Sequence, residues 1–233
     1  MGKNVWREEQ QWPLARTRYT PYYLHSQGQA NSLRGDGRLS PIGPTEEPQD
    51  HFVYDPDDPV PTCGGNTLII STGVQDQRRV EERHDVLVYT TEPLIDPLEI
   101  TGPIVVKLFA ATSAPDTDFT AKLVDVRPDG YVQNLADGII RARYRESGSR
   151  PSLLTPGKVY EFTIDLWATS HVFFPGHRLR VEISSSNFPR FDRNLNTGED
   201  QATATRFQTA EQTIFHDQRS PSHIQLPVIP SSF

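Results

Sequence analysis

From Asp85 onward the chain alternates apolar and polar residues with a period of two, the spacing that puts side chains on one face of a strand. Val86–Tyr89 reads as a short buried strand. Leu98–Thr112 aligns Ile104, Val106, Leu108 and Ala110 on one face after Pro103, and Phe119–Val126 alternates likewise. The next residues, Arg127-Pro128-Asp129-Gly130, are a turn signature, because proline presets φ and glycine accepts positive φ. That turn predicts a hairpin with 131–136. Gly138–Tyr144, Lys158–Ala168 and Arg178–Ser184 read as further strands; in the last, Leu179, Val181 and Ile183 form the apolar face and Arg178, Arg180 and Glu182 the wet one. Two late strands are expected around Thr205–Phe215 and His223–Leu226. The best short-helix candidate is Gln75–Arg83, which has Val80 as its only apolar anchor and is expected on the surface. No helical pattern separates the strands, which disfavours a βαβ sheet and predicts an all-β, antiparallel β-sandwich.

Residues 1–65 lack this regularity. Short pieces such as Tyr22-Tyr23-Leu24 and His51–Tyr54 sit among turn residues, the first readable as a short strand. Prolines at 41, 44, 48, 56, 59 and 61 predict an extended, Pro-rich arm, since proline donates no ladder hydrogen bond. The expected division is therefore an N-terminal arm and linker over 1–65 and the sandwich over 66–233.

Composition narrows the picture. The 20 Pro and 15 Gly oppose a helical bundle, while 35% apolar residues can fill a core. A net charge of −7 without a basic stripe argues against nucleic-acid binding. No apolar run approaches the ~20 residues of a membrane span. Cys63 is the single cysteine, so neither an intramolecular disulfide nor a cysteine-based zinc site can form. The N-terminus has no apolar signal core, which favours the cytoplasm. With Trp6 and Trp12 ahead of any turn signal, the opening reads like mid-protein, and the chain is expected to be a piece of something longer.

Candidate chemistry is sparse. There is no Gly-x-Ser-x-Gly elbow, and Ser184-Ser185-Ser186 reads as the cap of the strand before it. His171 and His177 flank a Phe-Phe-Pro-Gly turn and are more readily loop histidines than metal ligands. Asp116 and Asp118 suit calcium or acid–base work in spacing, but a calcium loop needs further ligands, and anchoring of the loop before Phe119 is the better reading. Cys63 reads as a small buried thiol. The segment Thr62-Cys63-Gly64-Gly65-Asn66 is the first candidate for a functional edge, because paired glycines permit unusual backbone angles and close approach. No cofactor or metal is implied.

Several phrases in order then become specific: Asp76-Gln77-Arg78, Glu82–Thr91 (ERHDVLVYTT), Pro97–Pro103, Ala114–Val126 (APDTDFTAKLVDV), Asn134–Arg145 (NLADGIIRARYR) and Phe188–Asn194 (FPRFDRN). Over nearly its whole length the chain resembles the C-terminal domain of CocE/NonD hydrolases. That group includes X-Pro dipeptidyl-peptidases, cocaine-esterase-like enzymes and α-amino-acid ester hydrolases. The resemblance implies a jelly roll similar to galactose-binding domains, packed on an upstream α/β-hydrolase domain of the same polypeptide and helping to wall its cleft. The family's serine, aspartate and histidine lie upstream, so no catalytic residue is carried over. Read structurally, Asp116 and Asp118 anchor the loop before Phe119, Asp137-Gly138 looks like a turn or bulge, and Asn187–Asn194 is expected to be a long loop whose Arg190, Asp192 and Arg193 form ion pairs. Bared of its hydrolase, the docking surface is a candidate for self-association. Two rival readings are a carbohydrate-binding jelly roll, with Trp167, Tyr131 and Phe173-Phe174 as its aromatic platform, and a self-sufficient enzyme using Cys63 or a histidine.

Overall fold

The computed structural model describes residues 1–68 and 72–230. In chain order its elements are β1 (Arg18–His25), β2 (Arg38–Ser40), β3 (Asp50–Tyr54), helix α1 (Arg78–Glu81), β4 (Leu87–Thr90), β5 (Leu98–Thr112), β6 (Asp118–Val126) and β7 (Val132–Arg141). A 3-10 turn at Ala142–Tyr144 is followed by β8 (Tyr160–Phe173), β9 (Arg178–Ser184), β10 (Ala210–Phe215) and β11 (His223–Ile229). One ladder joins the strands in the order β3-β10-β5-β11-β1-β2-β4-β9-β6-β7, with β8 on the other edge of β5. All pairings between strands are antiparallel except a single parallel bridge between β2 and β4.

The inward faces of this ladder close on each other as a β-sandwich. Ile104, Val106 and Leu108 of β5, Phe162 and Ile164 of β8, Phe119, Ala121 and Leu123 of β6, and Leu179, Val181 and Ile183 of β9 are buried in one cluster. Phe119 meets Phe162 across it with ring centroids 4.9 Å apart. Apart from Ala121, each of these side chains contributes about 1.5–3 kcal/mol by leaving water. The turn after β6 forms as expected: the Arg127 amide donates to the Tyr131 carbonyl at 2.9 Å, and Gly130 takes φ +84°.

The structure adds strands within 1–65 and changes three other expectations. Residues 1–65 contribute three strands to the ladder: β1 pairs with β11 and β2, and β3 pairs with β10. Pro48 and Pro56 bracket β3 instead of interrupting it, so its amides are free to pair. Gly138–Tyr144 is no separate strand; β7 runs through to Arg141 and then tightens into the 3-10 turn. β8 extends past Ala168 to Phe173, so His171 is a buried strand residue, not a loop one. Finally, Arg180 and Glu182 are not wet. The α1 segment lies over that face with Val80 and Glu81 buried, and Val60, Val80, Val86 and Val88 form a second apolar cluster.

The covered face traps charge. Arg180 donates to Glu81 at 2.6 Å, and Lys122 Nζ lies 3.3 Å from Glu182. Burial, reinforced by the nearby Glu182 carboxylate and only partly offset by Arg180, pushes the Glu81 carboxyl up to about 7. A carboxyl raised in the fold holds a proton that the unfolded chain gives up. Its contribution is therefore full below the ordinary value of 4.5 and lost as pH rises through about 7. Melting temperature is expected to fall between pH 5 and pH 8, by roughly 2–4 °C per kcal/mol. Glu81→Gln is expected to flatten that slope in scans across the range; an unchanged slope contradicts the assignment.

Candidate functional site

The Thr62–Asn66 segment is held at both ends. The Thr62 amide donates to the Phe188 carbonyl at 2.7 Å, and the Thr62 hydroxyl accepts the Arg190 amide at 3.1 Å. Cys63 is half-buried, its Sγ donating to the Asp76 carbonyl at 3.4 Å. Burial pushes the thiol up, which opposes a nucleophilic role. Gly64 and Gly65 take φ +72° and +96°, and a Cβ on Gly64 would stand 2.6 Å from the Gly73 carbonyl. Gly65 and Gly73 exchange two backbone hydrogen bonds at 2.8 Å, pinching their two backbones together. Leu68 is 97% exposed.

Beside this pinch lies a cleft of 250 Å³ lined by Gly65, Asn66, Val74, Leu135, Asp137 and Trp167 among others. Trp167 is its most unusual wall. Between the pairs Pro103–Ala168 and Val105–Asp165 the ladder slips, leaving Leu166 and Trp167 together opposite Ile104. In this bulge Trp167 adopts φ +64°, a left-handed conformation rare for a bulky residue. Its amide donates to Asp165 Oδ1 at 2.8 Å, and its ring is left 69% exposed. The polar groups around it are already engaged: Asp137 takes Arg190 and Asn187, while Asn134 accepts the Gln75 amide and donates to Gly73. Met1 also lines a larger groove of 680 Å³ that includes Val5, Trp6 and Val172. Such a surface can shape and dry a neighbouring space.

The two aspartates are tied into the fold. Asp116 is buried and accepts the Arg143 amide at 2.9 Å, Arg143 Nε at 2.8 Å and Asn194 Nδ2 at 2.7 Å. Asp118 accepts Arg141 Nε at 3.0 Å and Asn194 Nδ2 at 2.8 Å. Burial outweighs the Arg141 guanidinium and pushes the Asp118 carboxyl up to about 6. Neither aspartate meets the glycine segment. Arg190 pairs with Asp137, Asp192 with Arg141, and Arg193 lies 3.8 Å from Asp57.

The hydrolytic candidates do not assemble. Ser184 donates to the Asp85 carbonyl and Ser186 accepts the Val60 amide, both as strand-end anchors. His171 Nε2 and His177 Nδ1 contact the two oxygens of Asp125 at 3.0 and 2.8 Å, a pairing the sequence spacing did not reveal. Ser26, His216 and Asp50 do meet, but all are buried, and Ser26 directs its hydroxyl at Asp50. No group of three or more histidine, cysteine or acidic residues suited to a metal occurs among the described residues. Nor is any helix among them long and apolar enough to cross a membrane.

Comparison with known proteins places this geometry. The model of the X-Pro dipeptidyl-peptidase C-terminal non-catalytic domain matches residues 1–225. A cocaine esterase from Rhodococcus sp. (strain MB1 Bresler) is 50% identical over 236 residues, covering 98% of this chain and 41% of that protein. The crystal structure of an aminopeptidase from a marine-sediment Thaumarchaeota archaeon superposes with a TM-score of 0.86 at 34% identity, over 98% of this chain and 39% of that one. An α-amino acid ester hydrolase gives 0.85 at 34%, over 97% and 40%. The chain thus spans about two fifths of the length of these relatives. It belongs to the family of the X-Pro dipeptidyl-peptidase C-terminal non-catalytic domain, as found in CocE/NonD hydrolases.

Proposed function

We propose that this β-sandwich docks on an α/β-hydrolase domain of the same polypeptide and supplies one wall of its active-site cleft. The observation that carries this reading is the bulge that holds Trp167 outward beside the Gly65–Gly73 pinch, where neighbouring polar groups are already paired. A rigid apolar wall excludes water from an acyl-transfer site and strengthens the electrostatics inside it. Its partner would supply serine attack on an ester or amide carbonyl, proton transfer through histidine, and oxyanion stabilisation. The relatives named esterase, ester hydrolase and aminopeptidase suit that chemistry. A sugar-binding role has one point in its favour, the exposed Trp167 ring. Against it, Asp137 and Asn134 are already committed to Arg190, Asn187, Gln75 and Gly73.

The test is Trp167→Ala in the polypeptide that joins this domain to its hydrolase. KM is expected to rise about tenfold, the worth of one lost aromatic contact of ~1.5 kcal/mol. The melting temperature of the isolated sandwich is expected to stay within about 1 °C, since the ring is exposed. Unchanged KM, together with quenching of Trp167 fluorescence by simple sugars, overturns the docking reading.

A further inference from the structure

The corner where β1, β3, β4 and the end of β10 meet buries a set of ionisable groups that the proposed cleft does not use. Asp50 heads β3. Its Oδ2 accepts the Ser26 hydroxyl at 2.7 Å, the Tyr89 hydroxyl at 2.8 Å and His216 Nε2 at 2.9 Å. Its Oδ1 accepts the Ala30 amide at 2.8 Å. Burial alone raises the Asp50 carboxyl, but the His216, Ala30 and Ser26 donors together hold it below the ordinary range, and so ionised.

Glu47 reaches this corner from the strap 41–49, which links β2 to β3 over the surface. Its Oε1 lies 2.7 Å from His25 Nδ1, and its Oε2 accepts the Ser26 amide at 3.3 Å and lies 3.4 Å from His216 Nδ1. The other nitrogen of His25, Nε2, is 3.1 Å from the carbonyl oxygen of Ile42, on the same strap. Both nitrogens of His25 therefore face acceptors. A neutral imidazole carries one N–H and one lone pair, so it satisfies only one of them. His216 repeats the pattern, with the Asp50 carboxylate at Nε2 and Glu47 beyond Nδ1. One extra proton on each ring makes both His25 contacts donor–acceptor pairs and sets a charged His216 between the Asp50 and Glu47 carboxylates.

We propose that His25, Glu47 and His216 form a proton-operated clasp: it holds the strap 41–49 against the β1–β10 corner while both rings are protonated and lets it loosen when they are not. Glu46 on the strap, Asp36 on the turn before β2, Arg38 on β2 opposite His25, Asp50 on β3, Tyr89 on β4, Asp217 after β10 and His223 on β11 are other ionisable groups around the corner. The strap's further ties do not titrate: the Thr45 carbonyl accepts the Gln218 amide at 2.9 Å, and the Ile42 amide donates to Ser40 Oγ at 3.0 Å. Release therefore loosens the strap without detaching it. The clasped state holds more protons, so it is favoured at low pH and weakens as pH rises.

Hydrogen–deuterium exchange by mass spectrometry tests this on the whole chain at pH 6 and pH 9, corrected for intrinsic exchange. Protection of peptides spanning 41–49 is expected to fall about tenfold for each unit of pH over which one linked proton is lost, over and above the fall in β5 peptides, which report the global loss set by Glu81. Glu47→Gln is expected to show the loosened strap already at pH 6. The wild-type comparison needs no variant, so a poorly folding Glu47→Gln leaves it decisive. Equal strap protection at both pH values, or an equal loss in β5, overturns the clasp.

Discussion

Asp116→Ala is expected to remove a large share of the domain's stability. The carboxylate is fully buried and receives three donors, two from Arg143 and one from Asn194. Arg143 in turn donates to the Glu199 carbonyl, and Asn194 bridges to Asp118. Alanine thus strands a mostly buried guanidinium and two further donors, and slackens the loop that carries residues 194–199. Breaking a buried pair from one side costs about 3–5 kcal/mol. Native domains have about 5–15 kcal/mol in all. Urea denaturation is expected to show a correspondingly lower midpoint at an unchanged slope. Asp116→Asn, which keeps acceptor capacity without the charge, is expected to fall between the two. A loss under about 1 kcal/mol contradicts the network as described.

Gly138→Val is the second large effect, and it acts by sterics. Gly138 has no positive φ to defend, but a Cβ there would stand 2.0 Å from the Asp165 carbonyl oxygen and 2.9 Å from its carbon. Those are backbone atoms of β8, which cannot rotate aside, so β7 and β8 must part at the bulge that presents Trp167. The expected cost is about 3 kcal/mol, at the upper end of overpacking, or roughly 6–12 °C in melting temperature. Gly148→Ala is the matched control, with nothing within 4 Å of its added Cβ. Equal melting of the two variants contradicts the close approach of the strands.

These two sites also mark where the sequence was legible and where it was not. β5 follows the alternation read from Leu98–Thr112, and β6 with its Pro-Asp-Gly turn appears where expected, because period two and turn chemistry are local signals. Period two tells which residues share a face, however, and not what covers the other face. Arg180 and Glu182 looked wet because their cover, α1, is distant in sequence and has only Val80 as an apolar mark. At the bulge, Leu166 and Trp167 reset the phase of β8, and His171 moved from an expected turn into the buried interior.

The glycine pair at 64 and 65 was readable as a backbone feature, since positive φ is what glycine permits. Trp167 was noticed only as an aromatic. Its left-handed backbone arises from pairing with β5, which no local pattern encodes. The Ser26–His216 contact joins residues 190 apart in sequence, and no spacing rule reaches so far. The hydrolase family, by contrast, was legible from phrases such as Ala114–Val126, which the structure shows to be loop anchor and core strand together.

On the proposed function, this chain shapes chemistry that its hydrolase partner performs. The most direct measurement is labelling of the purified chain with a fluorophosphonate serine-hydrolase probe, read by intact mass, beside the polypeptide that joins it to its hydrolase. One label is expected on the joined polypeptide and none on this chain. Stoichiometric label on the isolated chain would contradict it and direct attention to Ser26 beside His216 and to Ser184–Ser186.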